Sequence, residues 1–265
     1  MPPLRAAGID ATWRATVRPS VAAARDPLAA VAHVGRELAR YAGAAVARGH
    51  MPLVLGGDHS CAIGTWKGIA QAVPGPLGLI WIDAHMDAHT PETTESGRLH
   101  GMPLACVLGY GEASLTSIAG GACVAPQHLC LVGIRSFEKG EAELLRRLGV
   151  RVYAMREVNE RGLDVVLHEA RALVATGTAG YGISIDLDAI DPVEAPGVGS
   201  PVRGGLKAAE LVQALAQLAG DAALRGLEIV EYNPHLDRGA QTIALVPALA
   251  EALLAPQHAL ELPPS

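Results

Sequence analysis

Apolar residues fall along this chain in two rhythms. From Pro27 to Gly49 they recur at helical spacing, at Leu28, Val31, Leu38, Tyr41, Ala45 and Val46, behind an Asp26-Pro27 pair suited to an N-cap and a first helical position. After that come short, nearly continuous apolar runs: Pro52 to Leu55, Leu77 to Ile82, Leu129 to Ile134, Val150 to Tyr153, Tyr181 to Leu187 and Leu227 to Val230. Helical stretches lie among them at 62–73, 103–108, 141–148, 163–174, 206–218 and 242–254, several closed by a glycine such as Gly149, Gly177 or Gly220. Residues 1–25 carry little pattern, and 192–205 read as a loop rich in Pro and Gly. Strands without polar alternation are buried on both faces, so the pattern predicts an α/β fold, a mainly parallel sheet sandwiched by helices. With no repeat, low-complexity tract or linker, residues 1–265 are expected to form one domain.

The polar positions sharpen this picture. Ligands of open α/β sheets bind beyond the carboxyl ends of the strands. Those ends carry His59; then Asp83, His85 and Asp87; then Arg135; then Asp186 and Asp188; and last Glu231. If the chain stays extended past Ile82, then Asp83, His85 and Asp87 point to one face. Two carboxylates and an imidazole so placed repel or stay poorly solvated unless a cation joins them. Four aspartates and two histidines suit two divalent cations of borderline hardness, such as Mn²⁺, whose four positive charges cancel the four negative ones. A water bridging them would lose a proton easily, giving a hydroxide nucleophile at neutral pH.

Composition excludes several other functions. The chain has 265 residues, half of them hydrophobic, enough for one large core. Aromatics are only 3%, with Phe137 the single phenylalanine, which leaves the core to Ala, Val, Leu and Ile and argues against stacking on bases. A net charge of -6 argues against nucleic acid and anionic membrane as partners. The four cysteines form no C-x-x-C pair, which suits a reducing compartment. No signal-peptide core opens the chain and no apolar run reaches the roughly 18 residues of a membrane span, so a cytoplasmic location is expected.

Five motifs occur in order: GGDHS at 56–60, DAHMD at 83–87, SGRLHG at 96–101, SIDLDAIDP at 184–192 and EIVEYNP at 228–234. Together they resemble the ureohydrolase family, the arginases and agmatinases, and bacterial arginases most. The resemblance implies the three-layer α/β/α fold of that family and a pair of manganese ions. By the same resemblance His59, Asp83, Asp87 and Asp186 would hold one cation, and His85, Asp83, Asp186 and Asp188 the other, with Asp83 and Asp186 bridging. His100 would relay protons and Glu231 would hold the guanidinium, while Asp87 stands beside them in the catalytic group. The implied reaction is attack of the bridging hydroxide on the guanidinium carbon of L-arginine, giving ornithine and urea. Asp191 lies in the fourth motif but precedes Pro192, and a turn cap is its expected role.

The segment HTPETTESGRLHG, 89–101, resembles arginases without a gap. There this loop binds the α-carboxylate of the substrate. Thr94 and Ser96 keep the pattern, but His89 and Arg98 stand where asparagines are usual, and Glu138 falls where arginases place an aspartate near the α-amino group. Two readings therefore stay open beside arginase: an agmatinase or other guanidino-acid amidinohydrolase, and a catalytically inactive binding or regulatory subunit. Relatives usually begin with a strand and a Gly-rich loop ahead of the segment resembling PPLRAAGI. A strand of the family sheet is thus expected to be missing, unless residues 10–24 supply a substitute. The partner expected is a small guanidino molecule, with assembly into a homo-oligomer.

Overall fold

A computed structural model of the protein describes residues 2–255. Six strands form one sheet in the order β1-β6-β5-β2-β3-β4: β1 Leu53–Leu55, β2 Gly78–Ile82, β3 Leu129–Ile134, β4 Arg151–Ala154, β5 Tyr181–Asp186 and β6 Leu224–Val230. Every ladder is parallel. Helices α1 Pro2–Ala6, α2 Pro27–Ala47, α3 Cys61–Ala72, α4 Pro103–Val107, α5 Ala113–Thr116, α6 Lys139–Leu148, α7 Met155–Arg161, α8 Leu163–Ala175, α9 Ala208–Ala216 and α10 Gln241–Leu254 supply the crossovers and the covering layers.

Alternation along each strand divides the core in two. Ile80, Ile82, Cys130, Val132, Ile183, Ile185, Leu227 and Ile229 face a layer that includes α8, α9 and α10. Leu79, Trp81, Leu129 and Leu131 point the other way, toward α3, α4 and α6. Period-two geometry thus turns unbroken apolar runs into two buried faces, and the expected three-layer α/β/α fold is what forms. Against α3, helix α2 lies backbone to backbone: a Cβ on Gly64 would come within 2.3 Å of the Gly35 carbonyl oxygen.

Several expected boundaries move. The helix expected over 206–218 starts at Ala208, because Leu206 instead forms a parallel bridge with Ile190 and its amide donates to the Ala189 carbonyl. The strand expected to run to Leu187 ends at Asp186, whose side chain takes the Asp188 amide and starts a 3₁₀ turn over Leu187–Ala189. Helix α7 was not foreseen, since the MREVNER run has too few apolar positions to show a period. Residues 10–24 supply no strand, and among the described residues β1, paired with β6, is a sheet edge.

The strand order has one functional consequence. From β2 the chain winds outward through β3 and β4 on one side, while β5 and β6 lie on the other. A crevice therefore opens above the carboxyl ends of β2 and β5, where the winding reverses.

Candidate metal centre

Asp83 follows β2 directly into that crevice, but the expected extended run beyond it does not exist. Its Oδ1 accepts the His85 amide at 2.7 Å, which bends the chain, and Asp87 takes a left-handed φ of 51°. The physical reason is local: a short carboxylate bonds the backbone two residues on more readily than the strand continues without a ladder partner. Asp83, His85 and Asp87 consequently do not meet at a single point. They divide into two sets around Asp83.

The first set gathers His59, Asp83, Asp87 and Asp186, each offering a ligand atom within 4.8 Å of the others. His59 arrives from the loop after β1, and its Nδ1 lies 3.1 Å from Asp83 Oδ2, 3.1 Å from Asp87 Oδ2 and 3.0 Å from Asp186 Oδ2. The second set is Asp83, His85 and Asp188, with His85 Nδ1 3.1 Å from Asp188 Oδ2. Asp186 falls in the first set and not, by the same measure, in the second.

Burial makes this collection of acids demand positive charge. Asp87 is pushed up to about 7 by burial and by the charge of Asp83, and Asp188 to about 6 by the same two causes. Asp186 is raised well above the carboxylate range by burial, Asp188 and Asp83. Against these, burial pulls His59 down, but Asp186, Asp83 and Asp87 hold it well above its ordinary value. His85 reaches about 11, because Asp188 and Asp83 outweigh its burial. Asp83 goes down despite burial, since both imidazoles face it. Six side chains of oxygen and nitrogen donors, with no thiolate among them, fit divalent cations of borderline hardness.

Glu231 and His100 form the wall beside this cluster. Glu231 leaves β6 with φ 65°, a second non-glycine residue in the left-handed region, and the Gly57 carbonyl takes its amide. Such backbone costs about 1–3 kcal/mol and persists where surrounding bonds fix it. Its Oε1 accepts the His59 amide at 2.8 Å and lies 3.6 Å from His100 Nδ1. Burial would raise the Glu231 carboxyl, but His100 and the His59 amide hold it below its usual value. Glu231 in turn raises His100, against the opposing effect of burial.

A cleft of about 170 Å³ opens over these groups and reaches His89, Ser96, Arg98 and Glu138 at its mouth. His89 Nε2 is 2.8 Å from Glu138 Oε2 and 3.3 Å from Glu141 Oε2, while its Nδ1 is 3.2 Å from Thr93 Oγ1. Thr94 stands outside the cleft lining, and its hydroxyl accepts the Gly97 amide. Ser96 similarly accepts the Arg98 amide. Arg135, a strand-end candidate, turns away: its guanidinium donates to the carbonyls of Gly133, Asp188, Ala189 and Val202, so it ties loops together. Asp191 does cap turns, accepting amides from Val193, Gly204 and Gly205.

The reading of motifs missed the groups that hold the ligands. Trp81 stacks on His59 with centroids 4.0 Å apart and donates from its indole to Asp83 Oδ2 at 2.9 Å. Glu141 takes the Ala88 amide. Glu228 and Ser184 stand behind His59. A signal for Glu228 was present: an acid inside an apolar strand needs buried donors.

Side by side, two sets of side chains that could each hold a cation share Asp83 above a switch point of a parallel sheet, the arrangement of a candidate metal centre. Comparison with known proteins gives the lineage. The arginase family profile matches residues 12–255, and the chain belongs to that family. It is similar to the arginase of Bacillus caldovelox, 44% identical over 227 residues that cover 85% of this chain and 76% of the relative. The arginase of Brevibacillus brevis is 42% identical, over 84% of this chain and 75% of its own. The solved structure of the Bacillus caldovelox arginase superimposes with a TM-score of 0.84 at 41% identity, covering 94% of this chain and 83% of that one.

Proposed function

We propose that this arginase-family amidinohydrolase cleaves the guanidino group of L-arginine to ornithine and urea, with two divalent cations, manganese by preference, as its cofactor. The observation that carries this is the pair of ligand sets sharing Asp83, placed beside Glu231 in one cleft. His59, Asp83, Asp87 and Asp186 would hold the first cation. His85, Asp83 and Asp188 would hold the second. When bound, the cations supply the Lewis acidity that makes water a nucleophile near neutral pH.

The chain's own groups do the remaining work. Glu231, kept ionised by His100 and the His59 amide, offers a carboxylate to the forked N–H donors of a guanidinium and orients its carbon toward the acids. Addition of water to that carbon and breakage of its bond to the δ-nitrogen leave urea and a primary amine, which must gain a proton. His100 has its imidazole about one-third exposed at the cleft wall, so it can pass protons between the site and solvent. At the mouth, Arg98 and Ser96 would meet the α-carboxylate and Glu138 the α-amino group.

One observation keeps another guanidino acid in view as substrate. His89 already occupies Glu138 Oε2, which weakens the claim of an α-amino group on that carboxylate. Four free thiols suit the cytoplasm, and no described helix is long and apolar enough to cross a membrane. A urea assay with Mn²⁺ across arginine, agmatine, guanidinobutyrate and guanidinopropionate tests the reading. Arginase activity predicts the highest kcat/KM for arginine, and no urea from any of the four would refute it.

A further inference from the structure

Behind His59, on the side away from Asp83, Asp87 and Asp186, lies a buried carboxylate that the proposed chemistry does not use. Glu228 sits in β6 with no solvent exposure, on the sheet face covered by α3. Its Oε1 accepts from Thr65 Oγ1 at 2.6 Å, and its Oε2 accepts from Trp66 Nε1 at 3.0 Å and from Ser184 Oγ at 2.9 Å. Ser184 is its register partner on β5, and Ser184 Oγ is 3.1 Å from His59 Nε2. Two glycines make room for the tryptophan: a Cβ on Gly182 would lie 1.9 Å from the Trp66 ring, and one on Gly226 would meet it at 3.5 Å.

The direction of the protons in this relay follows from the Trp66 indole together with Glu228 as a carboxylate. An indole N–H can only donate, so Glu228 Oε2 must accept from Trp66. The same oxygen then accepts the Ser184 hydroxyl proton, and the serine oxygen is left to accept from His59 Nε2–H. Were Glu228 itself protonated, the proton would fit on Oε1 toward Thr65 Oγ1, whose hydroxyl could donate instead to the Cys61 carbonyl at 3.3 Å. With the proton there, Oε2 goes on accepting from Trp66 and Ser184. His59 is therefore held with its proton on Nε2, which leaves Nδ1, among Asp83, Asp87 and Asp186, as the nitrogen that gives up its proton to a cation.

We propose that Glu228 is a positioning residue for the metal centre, acting through Ser184 to present His59 Nδ1 to the first cation. This rests on the ligand sets proposed above and adds a site-selective consequence. Carboxylate partners that orient a ligating histidine usually matter about 10–100-fold in metal affinity. Removing this one should weaken the cation held by His59 and spare the one held by His85.

The test is Mn²⁺ titration of the full chain, read by calorimetry and by bound metal after gel filtration, for wild type, Glu228→Gln, Glu228→Leu and Ser184→Ala. Glu228→Gln can keep its amide oxygen at the Oε2 position and its NH₂ toward Thr65, so it should bind both cations within about threefold of wild type. Glu228→Leu should lose about 10–100-fold at one of the two steps and leave the other unchanged. Ser184→Ala, a milder change that keeps Glu228 and its other donors, should weaken the same step, and combining it with Glu228→Leu should add little. Should the leucine variant fail to fold, Ser184→Ala decides. Wild-type affinity at both steps in the folded variants, equal loss at both steps, or a glutamine variant as weak as the leucine one overturns the proposal. Wild type binding fewer than two cations refutes the ligand sets themselves, and this proposal with them.

Discussion

Replacing Asp83 by asparagine separates the two jobs this side chain performs. Both of its oxygens are occupied by donors that cannot reverse: the His85 backbone amide at Oδ1, 2.7 Å, and the Trp81 indole at Oδ2, 2.9 Å. An asparagine has one acceptor oxygen, so whichever way its amide turns, an NH₂ faces another N–H in a fully buried place. Leaving a buried donor unpaired costs about 1–3 kcal/mol, and about 2 kcal/mol would lower Tm by roughly 4–8 °C in a chain of this size. Loss of attraction to His59 and His85 acts in the same direction in metal-free protein. Thermal unfolding in EDTA reads this first effect. The second appears on adding Mn²⁺: because Asp83 belongs to both sets, Asp83→Asn should bind neither cation tightly and release no urea. A variant that is as stable as wild type in EDTA, or that keeps one tight cation, would show that the shared carboxylate has been misread.

His85→Ala should lower the metal content from two cations to one per chain and cut turnover by more than about a hundredfold, since it strips a direct ligand where even outer partners matter 10–100-fold; unchanged urea release with one cation bound would count against a paired centre. Cation affinity should fall as pH drops through about 7 and then about 6, as Asp87 and Asp188 take up protons that compete with metal. Mn²⁺ dissociation constants measured between pH 5.5 and 8 check this, and a flat profile contradicts it. Glu231→Gln retains an acceptor for the His59 amide but loses the charge, and a charge-assisted bond is worth about 1.5–3 kcal/mol, or roughly 10–150-fold in kcat/KM for arginine. His89→Asn should free Glu138 and shift preference toward arginine over guanidinobutyrate, visible as a changed ratio of kcat/KM.

Much of the fold was legible because buried parallel strands advertise themselves as uninterrupted apolar runs, and all six appear within a few residues of their expected places. The proposed ligands were legible for a different reason: strand ends in such a sheet are where polar side chains have no structural excuse. What escaped was whatever depends on chains meeting at a distance. The 83–87 run bends through a local bond, Asp83 to the His85 amide, but that bond wins only where β2 loses its ladder neighbours, and distant strands decide where that is. Likewise Arg135 reads as a cleft cation until the carbonyls of Asp188, Ala189 and Val202 surround it. His89 and Glu138 were read as separate contacts to substrate, yet they face each other from two loops.

The reversal of winding between β2 and β5 also bears on when metal can enter during synthesis. His59 and Asp83 emerge early, but Asp186 and Asp188 follow on β5, and Glu231 only after β6. No nascent piece that stops short of β5 carries more than part of either ligand set, and a proteolytic fragment lacking it is equally incomplete. Because β1, which leads to His59, joins the sheet only through β6, tight uptake of both cations would mark a finished sheet and make bound metal a gauge of correct folding.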